Sequence, residues 1–105
     1  MATRELEPFL RALRSTPAKQ VTTRLLNTAD RDLGALLRYA EDTEVSEVLA
    51  FLGETKRQHI VAEIARMQRV RLPLETIAVI AGYLARHIEG DRPLRPITRY
   101  FKPAT

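Results

Sequence analysis

Apolar side chains recur at intervals of three and four residues along most of this chain. That spacing places them on one face of an α-helix, whereas a half-buried strand would alternate apolar and polar residues. Such sets occur within 21–28, 33–40, 45–52 and 60–67, and the first set comprises Leu6, Phe9, Leu10 and Leu13. Residues 74–88 carry a broader apolar face, which is typical of the most buried helix of a domain. The pattern predicts about six short helices and no strands.

Capping and turn residues predict where several of these helices begin and end. Thr16, Thr43 and Thr55 each precede an apolar set and are candidate N-caps. Gly53 lies where a left-handed residue commonly ends a helix. Gly82, inside the sixth predicted helix, costs about 1 kcal/mol relative to alanine. We therefore expect Gly82 to mark a close helix contact or a local bend.

The connections between the predicted helices from about residue 21 to residue 53 are short. Short connections make neighbouring helices stack, as in armadillo and HEAT-like solenoids. A faint internal repeat agrees with stacking: the pattern Leu25-Leu26, Ala29, Asp30 recurs as Leu36-Leu37, Ala40, Glu41. We predict an all-α fold, a compact right-handed stack of about six short helices that is armadillo/HEAT-like.

The sequence changes character after Gly90. Residues 91–105 contain three prolines, four basic residues and one acidic residue. Because proline favours extended or turning backbone, residues 1–90 are predicted to form a single helical domain and residues 91–105 a basic, proline-containing tail. Four apolar residues of the tail are candidates for docking on the domain, on a partner protein or on a second copy in a homo-oligomer: Leu94, Ile97, Tyr100 and Phe101.

Composition narrows the class of protein. An apolar fraction of 45% and a charged fraction of 29% are ordinary for one folded domain. The absence of cysteine excludes disulfides and thiolate metal sites. The N-terminus lacks the apolar run of a signal peptide, and no apolar stretch is long enough to cross a bilayer. We expect a cytoplasmic protein.

Patterns that carry catalysis or cofactor binding are missing from the sequence. It contains no glycine-rich phosphate loop, no nucleophile elbow and no zinc-binding spacing. His59 and Glu63 are one helical turn apart and could hold a metal only with further ligands. The alternative interpretation is a surface pair on one helix face. We expect a protein that is not an enzyme and binds no cofactor.

The basic charge suggests three classes of partner. A net charge of +4 and a pI of about 10.0 suit an acidic protein surface, a nucleic acid or an anionic membrane face. Nucleic-acid binding is favoured by arginines that could pair with phosphates and by an aromatic side chain that could stack on bases. These residues are Arg66, Arg69, Arg71, Arg95, Arg99 and Tyr100. Against it, the first three precede the predicted end of a helix, where cations are favoured anyway. A small basic nucleic-acid-binding protein is therefore the alternative function.

The segment from Leu33 to Leu84 resembles the helical repeats of the FliG family of flagellar motor switch proteins. Residues 48–54, VLAFLGE, are similar to "VLSLLPE" of the family's middle domain, and residues 64–70, IARMQRV, are similar to "IATMEKV". Residues 70–72 match the "VRL" turn of its C-terminal domain. The resemblance implies an armadillo-like module that binds other proteins without catalysis, in or near the flagellar switch. The cytosolic domain of the magnesium transporter MgtE has a similar helical design, so the resemblance alone leaves the function open.

The resemblance also implies a set of charged contact residues. The C-terminal domain of FliG meets the stator through charged side chains. Position by position, Arg38 and Arg71 fall on basic sites of that set and Glu63 on an acidic site. Thr55 and Ala62 fall on the other two sites and do not match. The alternative is that Arg38, Glu63 and Arg71 are merely solvated.

One motif of the family is not preserved. The partner-binding "EHPQ" motif of the middle domain would fall at residues 28–31, where this chain has TADR. The resemblance therefore favours a switch or stator component as partner without predicting the usual contact with the switch protein FliM.

Overall fold

A computed structural model describes residues 4–90, and all regular structure within them is helical. A short 3-10 helix, Arg4–Leu6, leads directly into α1, Glu7–Ser15. The remaining helices are α2, Ala18–Leu26; α3, Asp30–Leu37; α4, Asp42–Leu49; α5, Glu54–Met67; and α6, Leu74–Glu89. The all-α prediction is confirmed for this part of the chain, with six α-helices and no strand in it. The predicted tail, with Leu94, Ile97, Tyr100 and Phe101, lies outside the described residues.

The core is formed by the apolar sets that the helical spacing picked out. Phe9, Val21 and Leu33 are fully buried, and one contiguous cluster joins them to apolar side chains of α4, α5 and α6. α6 contributes the most buried residues of any helix: Ile77, Ile80, Ala81, Leu84, Ala85, His87 and Ile88. The sequence predicted a broad buried face over residues 74–88, but Leu74 and Ala78 in the first turns of α6 are exposed. Only one side of α6 is therefore buried.

The N-terminal helices pack against the last one. α1 and the 3-10 helix lie along α6. α2 joins the last turn of α6 through two contacts: the Gln20 side-chain amide donates to the Ile88 carbonyl (2.9 Å), and His87 Nε2 lies 3.1 Å from the Arg24 carbonyl oxygen. In an open solenoid each repeat touches only its neighbours along the chain. Here the first helix packs on the sixth, which closes the domain into a compact globule.

α3 and α5 form the other main contact and run parallel. At their N-terminal ends, Lys56 Nζ donates to the Thr28 carbonyl (2.9 Å) and contacts the Asp30 carboxylate. At their C-terminal ends, Arg38 Nη1 donates to the Met67 carbonyl (2.8 Å). Since like ends meet, both hydrogen bonds fix the same parallel alignment of the pair.

Gly34 is the point where α3 and α5 come closest. A Cβ atom added at Gly34 would lie 2.6 Å from the Cβ of Glu63 and 2.9 Å from its backbone carbonyl carbon. Only glycine fits such a contact without moving a helix. At Gly82 the same added atom would meet nothing within 4 Å. The expectation of a close contact at Gly82 is wrong, and the close contact is at Gly34.

The predicted helix ends are partly wrong. The N-cap positions of α2, α4 and α5 are Pro17, Glu41 and Gly53, so the three threonines expected to cap do not. At α4, the Glu44 carboxylate instead accepts a hydrogen bond from the Glu41 amide (2.9 Å). Gly53 has φ −74° and begins α5 rather than ending α4 in a left-handed conformation. Gly90, with φ +92°, ends α6 in a left-handed conformation, at the point where the sequence changes character.

Candidate protein-interaction site

An open groove lies between the end of α4 and the first half of α5. Its lining residues are Leu49, Glu54, Arg57, Gln58, Val61 and Ala62. The α5 members recur at intervals of three and four residues, so they share one face of that helix. Ile60 and Met67 of the same helix are buried in the core. The groove is therefore built from the side of α5 that the domain does not use for its own packing.

Three of the six residues that line the α4–α5 groove are apolar, and two are charged. Val61 is 52% exposed, Ala62 is exposed, and Leu49 is half-buried against the core. Glu54 and Arg57 add one charge of each sign. Arg57 Nε donates to the Leu52 carbonyl (2.8 Å), which holds the guanidinium beside the groove. An apolar strip with a charged edge suits the apolar face of a partner helix.

Arg38, the first of the predicted contact charges, is engaged within the domain. Besides its hydrogen bond to Met67, its guanidinium lies over the ring of Tyr39, 4.9 Å from the ring centre. The Tyr39 hydroxyl accepts a hydrogen bond from the Leu72 amide (3.4 Å). Arg38 and Tyr39 thus join the end of α3 to the end of α5 and the following loop.

Glu63 and Arg71 lie toward the same end of the α3–α5 pair as Arg38. The Glu63 side chain is only 16% exposed and accepts a hydrogen bond from Arg66 Nη1 (2.9 Å). Arg71 is exposed and makes no ion pair with another residue of 4–90. None of the three predicted residues lines the α4–α5 groove.

The basic residues near the end of α5 differ in whether they are already paired with an acidic side chain of the domain. Arg66 is paired with Glu63, whereas Arg69 and Arg71 are exposed and have no acidic partner in the described part of the chain. Residues 4–90 hold thirteen Lys and Arg against twelve Asp and Glu, a net charge of +1, and residues 91–105 hold four against one, a net charge of +3. Most of the excess positive charge therefore belongs to the C-terminal segment rather than to the helical domain.

A bidentate ion pair between Arg14 and Glu47 links α1 to α4. Arg14 donates from Nε and Nη2 to the two carboxylate oxygens of Glu47, at 2.8 and 2.9 Å. This hydrogen bonding, reinforced by the charge of Arg14, holds the pKa of Glu47 below its usual range. The pair is a structural link on the surface of the domain.

His59 and Glu63 do not belong to a cluster of metal-binding side chains. His59 Nδ1 lies 3.7 Å from the Asp30 carboxylate, and Glu63 is paired with Arg66. Across residues 4–90, no three His, Asp or Glu side chains come close enough together to hold a metal ion. The two residues thus contact different partners, Asp30 for His59 and Arg66 for Glu63.

Sequence reasoning missed the α4–α5 groove. Helical spacing places Leu49 on the inward face of its helix and leaves Val61 and Ala62 off the inward face of theirs. A signal was present: Val61, Ala62 and Ala65 form a second apolar strip on α5, away from the strip of Ile60 and Met67. Such a strip can be recognised as part of a surface groove only when the helix packing shows which face of α5 remains uncovered.

Comparison with known proteins gives no relative: no family model, no curated protein and no solved structure matches the chain. No helix within residues 4–90 has the length and apolar character needed to cross a membrane.

Proposed function

We propose that this chain is a non-catalytic protein-interaction module that holds the amphipathic helix of a partner protein in the α4–α5 groove. The observation that carries the proposal is the apolar part of that groove, formed by Leu49, Val61 and Ala62. A helix with an apolar face would cover these side chains, and a charged residue on its edge would pair with Glu54 or Arg57. Apolar burial supplies affinity in such a contact, while edge charges set orientation and association rate.

The resemblance to FliG repeats supports a particular class of partner. We propose a component of the flagellar switch or stator, and a cytoplasmic location follows from that partner. Right-handed, armadillo-like stacking of the helices from α2 to α5 is part of the same proposal, supported by the short connections between them. Among the carried-over charges, Arg71 is the best candidate for a contact with the partner, because it is exposed and unpaired within the described residues.

The partner is best sought by site-specific photocrosslinking in cells of the source organism. A photoreactive amino acid replaces Val61 in one full-length variant and Leu26 in the other. Leu26, on α2, is the matched control because it is also 52% exposed and lies outside the groove. The proposal predicts a discrete adduct from position 61 that is missing from position 26, with a flagellar switch or stator protein in it. Identical adduct patterns from the two positions would contradict it.

The purified adduct partner then allows a quantitative test with Val61→Glu and Leu26→Glu. Both substitutions replace a half-exposed apolar side chain by the same charge on a helix surface. Val61→Glu should weaken binding about tenfold or more, equivalent to about 1.4 kcal/mol, because it places a charge in the apolar contact. Leu26→Glu should leave the affinity unchanged. Equal losses of affinity would show that the groove is not the contact.

Nucleic-acid binding is the second candidate function, favoured by Arg69 and Arg71, which are exposed and have no acidic partner within residues 4–90. Binding through phosphates would weaken steeply as salt rises, since each neutralised phosphate releases counterions. A generic duplex titrated at low and at higher salt tests this directly. Binding lost on raising the salt, and reduced by Arg69→Gln with Arg71→Gln, would favour this second function. No binding at low salt would remove it.

A further inference from the structure

The outward side of α6 carries a row of four residues that we call the α6 stripe: Glu75, Val79, Gly82 and Arg86. Intervals of four, three and four residues separate them, which is the spacing of a seam between two packed helices. Glu75 and Arg86 are exposed, and Val79 is 61% exposed. A Cβ atom added at Gly82 would meet nothing within 4 Å. The α6 stripe therefore has a charge at each end, with a projecting side chain and an open space between them.

The two charges at the ends of the α6 stripe are not used inside the domain. Neither Glu75 nor Arg86 takes part in an ion pair with another residue of 4–90. They cannot pair with each other, because eleven residues of helix at about 1.5 Å per residue hold them about 16 Å apart. Each charge is thus available to an opposite charge on another surface.

The α6 stripe is complementary to a second copy of itself that runs in the opposite direction. Glu75 and Arg86 lie equally far from the point midway between residues 80 and 81, and so do Val79 and Gly82. A two-fold axis at that point places Glu75 of each copy opposite Arg86 of the other. It also places Val79 of each copy opposite Gly82 of the other. A parallel alignment would instead bring like charges together.

The middle of the α6 stripe suits a close approach of two helices. The distance between packed helices depends on the size of the side chains at the contact, and glycine permits the shortest distances. Val79 of one copy occupies the open space above Gly82 of the other, so two exposed valines leave water. Leu74 and Ala78 are also exposed and extend the apolar surface on one side of the row.

We propose that two copies of this chain associate as a two-fold symmetric dimer through antiparallel contact of their α6 stripes. Such a contact uses the same patch on both copies, so every pairing occurs twice. A second copy is the occupant because the stripe itself supplies both members of each charge pair and of each valine–glycine pair. The contact involves other residues than the α4–α5 groove, and the inference does not depend on the proposed function.

A contact through one helix face is smaller than a standard protein–protein interface. We therefore expect a reversible dimer that forms at high protein concentration and dissociates at the low concentrations used for unfolding measurements. Sedimentation equilibrium of the full-length protein over a concentration series measures this. The average mass should rise from that of one chain, 12.0 kDa, towards twice that value.

Charge reversal at either end of the α6 stripe should weaken the dimer. Glu75→Arg and Arg86→Glu should each raise the dissociation constant about tenfold or more, because each replaces two attractive pairs by two repulsive ones. Arg86→Glu also lowers the net positive charge, which reduces general repulsion between copies, so only a local contact explains a weaker dimer. The matched control Arg31→Glu makes the same charge change at an exposed position on α3 and should not weaken the dimer. Circular dichroism checks that the variants keep their helical content.

A mixture of the two single variants tests the antiparallel pairing itself. In a dimer of one E75R chain with one R86E chain, both end pairs again join opposite charges. The mixture should therefore dimerise more strongly than either variant alone. A wild-type chain that stays monomeric at every concentration would show that a second copy does not cover the stripe. Single variants that dimerise like the wild type, or a mixture that associates no better than its components, would place the contact elsewhere. Each of these three results would overturn the proposal.

Discussion

Replacing Gly34 by alanine should destabilise the domain, whereas the same replacement at Gly82 should stabilise it. Both glycines lie inside helices, so alanine restricts the unfolded chain at either position and gains about 0.5–1 kcal/mol from the backbone alone. The two positions differ in their surroundings. A methyl group at Gly82 projects into open space, and one at Gly34 meets α5.

The size of the effect follows from the contact at Gly34. The added Cβ would lie 2.6 Å from the Glu63 Cβ and 2.9 Å from its carbonyl carbon. Carbon atoms in contact normally stay about 3.5–4.0 Å apart. Neither of these atoms is the end of a flexible side chain, so α3 and α5 must separate by about 1 Å to relieve the overlap. Overpacking of this kind costs typically about 1–3 kcal/mol, which exceeds the backbone gain.

Urea unfolding followed by far-ultraviolet circular dichroism measures both variants. Gly34→Ala should unfold with a free energy about 1–2 kcal/mol below that of the wild type. Gly82→Ala should lie about 0.5–1 kcal/mol above it. The difference between the variants isolates the steric cost, because the backbone gain is common to both. Equal stability of the two variants, or a more stable Gly34→Ala, would refute the close parallel contact of α3 and α5.

Three further predictions concern single interactions and use the same unfolding assay. Arg14 lowers the pKa of Glu47 in the folded state. The pair therefore stabilises the folded state fully at pH values above the unfolded carboxyl pKa of about 4.3. This contribution disappears as the pH falls through the lower pKa of the folded state. The stability advantage of the wild type over Glu47→Gln should accordingly shrink as the pH falls below about 5, and an advantage that grows toward low pH would contradict the assignment. Arg38→Met should lower the free energy of unfolding by about 1–2 kcal/mol, because it removes the charged donor to the Met67 carbonyl; an unchanged value would show that this contact contributes nothing. Thr28→Val should cost about 1 kcal/mol, because the buried hydroxyl donates to the carbonyl one turn earlier in α2, and a stabilised variant would argue against that bond.

The Arg38 prediction changes how the contact charges should be tested. Reversing the charge of Arg38 or Glu63 alters contacts inside the domain, so a loss of partner binding could reflect lost stability. Arg71→Glu avoids this difficulty, since Arg71 is exposed and has no ion-pair partner among the described residues. Its effect on affinity can be attributed to the partner contact.

Much of the fold could be predicted from the sequence because burial follows helical spacing. Leu33, Leu36 and Leu37 are spaced as one face of a helix, and all three are buried. The start of α6 after Pro73 and its end at Gly90 were predictable for a similar reason, since proline and glycine restrict the backbone locally. These features depend on residues close in the sequence.

The features that could not be predicted depend on residues far apart. Gly34 and Gly82 look alike in the sequence, and only the crossing with Glu63 distinguishes them. Thr43 is as good a cap as Glu41 in isolation, but the path of the chain between α3 and α4 begins the helix one residue after Glu41. Local preferences permit either choice, and tertiary packing selects one of them.

The same limit applies to the candidate site. Val61 lies one position from the buried Ile60, and the helical spacing of Ile60 and Met67 places Val61 off the inward face of the helix. Whether another element covers that outward face depends on the packing of distant parts of the chain. A groove formed by residues that the core does not use can therefore be recognised only after the core has been located.

The proposed function depends most on the α4–α5 groove being the surface that meets a partner. The direct measurement is a methyl NMR titration of the full-length protein with the partner identified by crosslinking at position 61. We expect the methyl signals of Leu49, Val61 and Ala62 to shift as the complex forms, with little dependence on salt. Shifts confined to residues near Arg69 and Arg71, abolished by raising the salt and leaving the groove methyls unchanged, would contradict it.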